Sequence, residues 1–185
     1  MNILIRRMDA NDINMYRLCY GDTEFKHFIY GDKPIDIDAT FNKLLNEPNG
    51  NLESFVVLYK EVNEDAYKYI GFCNFLKHPE YPFPINKETF AFNGGILPDF
   101  FNSGFGIYAC VSLLKLYFVR HPKSDLYAST FQDNRRSAKM LTSMGFEQMS
   151  ENWFCKNHFL LTSDNFYSSS FVNRLLSRIT LYFEV

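Results

Sequence analysis

The sequence predicts a mixed α/β fold, and three observations carry that prediction. β-rich and helix-like runs follow one another in the order strand, helices, three strands, helix, strand, helix, strands. The run GIYACVSLLKLYFVR, residues 106–120, is apolar almost all round and stops at His121-Pro122, as a largely buried helix does. The chain has 185 residues, enough to bury a real core but too few for two well-formed ones, so one domain spanning 1–185 is expected.

Each element has its own signal. Residues 2–7, NILIRR, alternate weakly and suit a first strand. In DANDINMYRLCYGD, Asp9 or Asn11 offers an N-cap, Ile13, Tyr16 and Leu18 are apolar, and Gly21 is a stop, giving a short helix. A second helix is expected in DIDATFNKLLNEPNG, where Phe41, Leu44 and Leu45 share a face and Pro48 with Gly50 ends it. SFVVLYKEVNEDAYKYIGFCNFLK reads as a hairpin of 54–60 and 67–76 that turns around 63–65. The proline-rich HPEYPFPINKE is a loop, after which TFAFNGGIL resumes as a strand. The Gly94-Gly95 pair inside it signals a bulge or a close backbone approach.

Downstream, DLYASTF is a strand and DNRRSAKMLTSMGF a helix that Asp133 can cap and Gly145 can end. The tail offers strand-like FEQMSENW, then FCKNHFLLT, a helix within SDNFYSSSFVNRLLSRI, and a last strand TLYFEV.

Composition narrows the function. A net charge of −2 argues against a general nucleic-acid binder, so any anion must be held locally. No apolar window approaches the ~20 residues needed to span a bilayer. The N-terminus MNILIRRMDANDIN lacks the long apolar region of a signal peptide, and a soluble, cytoplasmic protein without membrane partners is expected. Cys19, Cys73, Cys110 and Cys155 are scattered without a CxxC pair, which reads as reduced core thiols and no metal site.

One stretch points to a ligand. In PDFFNSGFGI, Gly104 and Gly106 stand with one residue between them at the head of the apolar helix. Successive amides of Asn102, Ser103, Gly104, Phe105, Gly106 and Ile107 can wrap a pyrophosphate there without a cationic side chain. The same glycines also serve as ordinary punctuation at the start of a core helix.

This stretch and NRRSAKMLTSMGF about thirty residues on, with one strand between, give the chain a recognisable signature. It resembles the GNAT superfamily of acyl-CoA-dependent N-acyltransferases, and within it the branch of ribosomal-protein N-terminal acetyltransferases. The resemblance covers roughly residues 3–161. It implies a mixed central sheet of about six or seven strands flanked by about four or five helices, with splayed fourth and fifth strands. It also implies acetyl-CoA, or another acyl-CoA, as co-substrate. Ile96 and Leu97 would pair through their backbone with the pantetheine arm, and Asn134, with Ser137 beside it, would contact the cofactor. Residues 134 and 137 also fit plain roles as a helix cap and a small packed residue.

The chain departs from the family pattern at several positions. Phe101 stands where Arg or Gln is usual, Asn102 where Gly is, and Ser103 where Lys or Arg often is. Ala91 stands at the position of the usual Glu base, and Leu141 at that of the Tyr that protonates the leaving thiolate. An ammonium with a pKa of about 10 must lose a proton before it attacks a thioester. Glu88, His78 and Asn93, the last able only to order a water, are the remaining candidates. Residues 20–33 and 77–87 would shape the acceptor pocket, with Tyr20, Phe25, Phe28, Tyr30, Tyr81 and Phe83 as its aromatic wall or as core.

The expected activity is transfer of an acetyl group to a primary amine of a small molecule or peptide, by direct attack in a ternary complex. A weakened acyl-CoA-binding sensor is the alternative. A third possibility is a partner protein that uses TLYFEV as a dimerisation edge. The expected assembly is a monomer or homodimer.

Overall fold

The computed structural model describes residues 2–30, 34–47, 52–61, 63–77, 89–150 and 155–184. Strand β1 (Asn2–Arg7) leads into a 3-10 turn and helix α1 (Ile13–Gly21). The Asp9 carboxylate accepts from the Asn11 amide, and the Asp12 carboxylate reaches back to the Asp9 amide, forming a reciprocal cap. Gly21 ends α1 as expected, but Asp22 at once caps a further helix, α2 (Thr23–Tyr30), by accepting from the Phe25 amide at 2.8 Å. Helix α3 (Ile37–Leu45) follows, capped by Asp36.

Strands β2 (Leu52–Lys60) and β3 (Lys68–Lys77) form the expected antiparallel hairpin, and β4 (Phe90–Ile96) pairs with β3. Helix α4 (Phe105–Arg120) buries residues on every side, which is why its sequence shows no polar stripe. Strand β5 (Leu126–Phe131) leads to α5 (Arg135–Ser143), and Gly145, at φ 95°, ends that helix and delivers Phe146 to the core. Asn134 rather than Asp133 caps α5. Beyond it come β6 (Glu147–Gln148), β7 (Lys156–Leu161), α6 (Ser163–Ser168), α7 (Ser170–Leu176) and β8 (Thr180–Glu184).

The described residues thus form one mixed sheet in the order β6-β7-β5-β4-β3-β2-β1-β8. The α/β class with a mixed central sheet holds. The helix count exceeds the expectation, because α2 follows α1 without a loop and Ser169 splits the tail helix into two, while the eight strands among the described residues match the strand-like runs of the sequence rather than the six or seven that the resemblance implies.

The sheet separates two apolar clusters. On one face Phe55, Phe75, Leu126 and Ala128 pack with α4, α5 and α7. On the other, Val56, Leu58 and Phe72 pack with Tyr16, Tyr20, Phe25 and Phe41 of α1–α3. Three cysteines lie in these cores, whereas Cys155 is exposed, contrary to the expectation of four core thiols. Cys155 sits at φ 58°, just before β7.

The pairing of β4 with β5 decides the rest. These neighbours run parallel, and only Phe90 with Leu126 and Ala91 with Tyr127 are in register. From Phe92 to Ile96, β4 keeps its β3 partner and leaves β5, opening a V-shaped gap in the sheet.

Candidate functional site

A cavity of about 960 Å³ occupies this V and passes through the sheet, since its walls come from both faces. On the α4–α5 face it is lined by Phe92, Cys110, Leu113, Ala128, Met140 and Leu141. On the α1–α3 face it is lined by Phe25, Phe28, Leu44, Asn74, Ala91, Asn93 and Ser129. A volume of this size accommodates a large part of an extended cofactor together with a small acceptor.

The N-terminus of α4 stands in the cavity wall. Asn102 (φ 59°) and Gly104 (φ 83°) both adopt the left-handed conformation, so the turn expected from the sequence forms, with asparagine tolerating what glycine usually supplies. An added Cβ at Gly104 would meet nothing within 4 Å, so the backbone there is open to a ligand. The Gly106 and Ile107 amides have no partner four residues back within the helix. The Phe105 amide, by contrast, donates to Ser103 Oγ at 3.2 Å. Asn102, Gly104, Gly106, Ile107 and Ile96 line the cavity; Leu97, Ser103 and Phe105 do not. Leu97 packs against the α1–α3 core, and Phe105 packs on Tyr59 and Phe100.

Asn134 and Ser137 also line the cavity. The Ser137 N–H donates to Asn134 Oδ1 at 3.0 Å, so Asn134 caps α5 with its oxygen and keeps its amide Nδ2 for another partner. Asn93 is exposed to the cavity and accepts from Asn74 Nδ2 at 3.2 Å. Glu88 and His78 lie outside the described residues, as do Tyr81, Phe83 and the side chain of Tyr30. Phe25 and Phe28 reach the cavity, whereas Tyr20 is buried behind Phe25 in the core.

Several wall residues carry no local sequence signal. Arg136 and Glu24 form an ion pair between α5 and α2, and the Arg136 guanidinium stands 5.1 Å from the Phe101 ring centroid. An arginine therefore stands in the cavity wall beside the turn, supplied by the next helix and paired with Glu24. Asn74 Oδ1 and Thr130 Oγ1 are buried in the wall without hydrogen-bond partners. A buried polar group without a partner costs about 1–3 kcal/mol.

Burial holds the thiols near the cavity protonated. Burial pushes the Cys110 thiol up to about 12 and raises Cys73 well above the usual thiol range, so neither supplies thiolate at neutral pH. Among the described residues no three His, Cys, Asp or Glu side chains gather as a metal-holding group, and no helix is long and apolar enough to cross a membrane.

The open glycine turn and the through-sheet gap fit an extended anionic cofactor that enters on one face and meets an acceptor on the other. Solved structures share this fold. No curated protein matches the chain by sequence. A spermidine N-acetyltransferase from Vibrio cholerae, solved with CoA and spermine, superimposes with a TM-score of 0.71 at 14% identity, over 90% of this chain and 99% of that one. An uncharacterized protein from Bacillus halodurans gives a TM-score of 0.75 at 13% identity, over 94% and 90%. A domain from Methanocaldococcus jannaschii gives 0.69 at 18% identity, over 86% and 97%. At these identities the likeness is one of fold. Residues 2–147 match the family model described as the acetyltransferase (GNAT) domain, and the chain belongs to that family.

Proposed function

We propose that this protein is an N-acetyltransferase that moves an acetyl group from acetyl-CoA to the primary amine of a small molecule or peptide, in a ternary complex. The observation that carries the reading is the cavity that crosses the sheet at the β4–β5 gap, with the Gly104 turn in its wall. Acetyl-CoA supplies an activated thioester. The amides at the head of α4 and the Asn134 side chain hold its phosphates and pantetheine arm, and the free edge of β4 at Ile96 offers backbone groups to the arm. Asn74 and Asn93 then present polar atoms to the acceptor on the opposite face. A fold shared with a spermidine N-acetyltransferase supports an amine acceptor. Placement in the ribosomal-protein branch rests on the order of elements and the local sequence motifs alone.

Ala91 and Leu141 favour a second reading. Both line the cavity, 9% and 2% exposed, at the positions where the family pattern carries its base and acid. A protein that binds acyl-CoA without transferring it has this composition.

Calorimetric titration with CoA and acetyl-CoA, followed by thiol release across a panel of amines, separates the two. Binding with turnover establishes the transferase, and binding without turnover establishes the sensor. No binding at millimolar ligand removes both.

A further inference from the structure

A cluster that the cofactor site does not use lies on β5 and β7. Residues two apart on a strand share a face, so Tyr127 and Ser129 point to the same side, and His158 stands directly across from Ser129 in the β5–β7 register. His158 and Tyr127 are buried, 4% and 1% exposed, and the Tyr127 hydroxyl meets His158 Nδ1. Ser129 stands beside the Tyr127 side chain on this shared face, directly across from His158, and itself lines the cavity. The chain of contacts therefore runs from the cavity wall to a buried imidazole.

Its position in the sheet connects it to the missing base. Ala91 has Tyr127 as its Cα partner, at the last pair before β4 and β5 part. Ser129 is two residues further along the open edge. The small side chain at 91 thus leaves space beside this cluster.

We propose that Ser129, Tyr127 and His158 form a proton relay that deprotonates the acceptor ammonium, with His158 as the terminal acceptor and Ser129 as the group facing the substrate. This rests on the transferase reading above. Burial pushes the Tyr127 hydroxyl up to about 12 against the opposing contact from Ser129, so it stays protonated at neutral pH, and with His158 in its Nε2–H tautomer it donates to Nδ1. The ammonium gives one proton to Ser129 Oγ as Ser129 passes its own to Tyr127 and Tyr127 passes its own to Nδ1. The neutral amine attacks the thioester carbonyl, the C–N bond forms and the C–S bond breaks. The thiolate leaves with the second amine proton as free thiol, and the first proton returns from His158 to water once the products have gone. Around this cluster, Lys156 lies two residues from His158 on the same strand face, with its ammonium 4.7 Å from the Phe131 ring centroid, and α2 stacks His27 on that ring and brings Glu24 to the cavity wall.

The test compares wild type, His158→Gln and Tyr127→Phe across pH, with an alkylamine and an aromatic amine that is already neutral. Relay loss lowers turnover of the alkylamine about a hundredfold at neutral pH, removes the acid limb of its rate profile, and leaves the aromatic amine within about threefold. Affinity for CoA, measured by calorimetry, stays unchanged. Tyr127→Phe keeps the ring and its volume, so it serves if His158→Gln does not fold. An equal loss for both amines, or an acid limb that survives in both variants, overturns the relay alone. A wild type that binds acetyl-CoA and acetylates no amine overturns the transferase reading and the relay with it.

Discussion

The Arg136 guanidinium lies over the Phe101 ring, 5.1 Å from its centroid. Phe101 occupies a position where the family pattern usually has a polar or cationic side chain, and it serves as a platform for a cation that comes from another element. The pair is worth about 0.5–1 kcal/mol where it is solvated. Glu24 holds the same guanidinium from α2. Replacing Arg136 with Gln is expected to weaken CoA about tenfold and to flatten the dependence of affinity on salt, because a charge-assisted contact is lost. Titrations of both proteins at low and high ionic strength check this; equal affinities at low salt remove Arg136 from the phosphate site.

Gly104 tests the turn itself. Its φ of 83° costs any L-residue roughly 1–2 kcal/mol, and a β-branched residue is the least tolerant. Space is open around it, so Gly104→Val folds with a melting temperature roughly 2–8 °C lower. CoA binding is expected to disappear, because the side chain occupies the approach to the amides. A folded variant with unchanged affinity shows that the turn only starts a helix.

Legibility followed the range of the interactions. Turns and the buried helix are local, and their residues announce them: Gly145 and the apolar run of 106–120 act where expected. Asn134 carried two readings, cap and cofactor contact; its oxygen caps α5 and the residue lines the cavity. Helix α2 was hidden because Gly21 signals a stop so strongly that the restart at Asp22 reads as loop.

The walls of the cavity were less legible for a different reason. Arg136 reads as an ordinary helix-surface residue, and only the departure of β5 from β4 brings α5 close to Phe101 and α2. His158 had no pattern to recommend it, since its meeting with Tyr127 depends on a β5–β7 register set across residues 132–155. The missing Glu and Tyr were readable position by position, but what stands beside them was not.

The glycine pair in β4 is a close approach rather than a bulge. A Cβ at Gly95 would lie 2.0 and 2.2 Å from two ring carbons of Phe25, with Phe72 opposite in the β3 register. Gly95→Ala therefore pushes α2 outward and is expected to destabilise the fold by about 1–3 kcal/mol. Truncating Phe25 to Leu in the same chain relieves the clash, so the double mutant is less destabilised than the sum of the singles. Urea unfolding of the four proteins measures the coupling, and simple additivity places Phe25 elsewhere.

The last prediction concerns pH and lies at the far end of α1. The Asp12 carboxylate is fully buried, receives both Arg6 guanidinium nitrogens at 2.7 and 2.9 Å, and accepts from the Tyr69 hydroxyl at 2.7 Å and the Asp9 amide at 2.8 Å. Burial by itself would raise its pKa, but the Arg6 hydrogen bonds, the Asp9 amide and Tyr69 together hold it below the ordinary carboxylate value. The unfolded chain takes up a proton there first as pH falls. The stabilisation is therefore complete above the ordinary aspartate range and is lost as pH drops through it toward the folded value. Asp12→Asn is expected to cost about 3 kcal/mol at neutral pH, since it removes one partner of a buried pair. The gap between wild type and variant should narrow steadily from pH 6 to about pH 3 in urea unfolding. A gap that stays constant over that range would assign the cost to packing rather than to the charge.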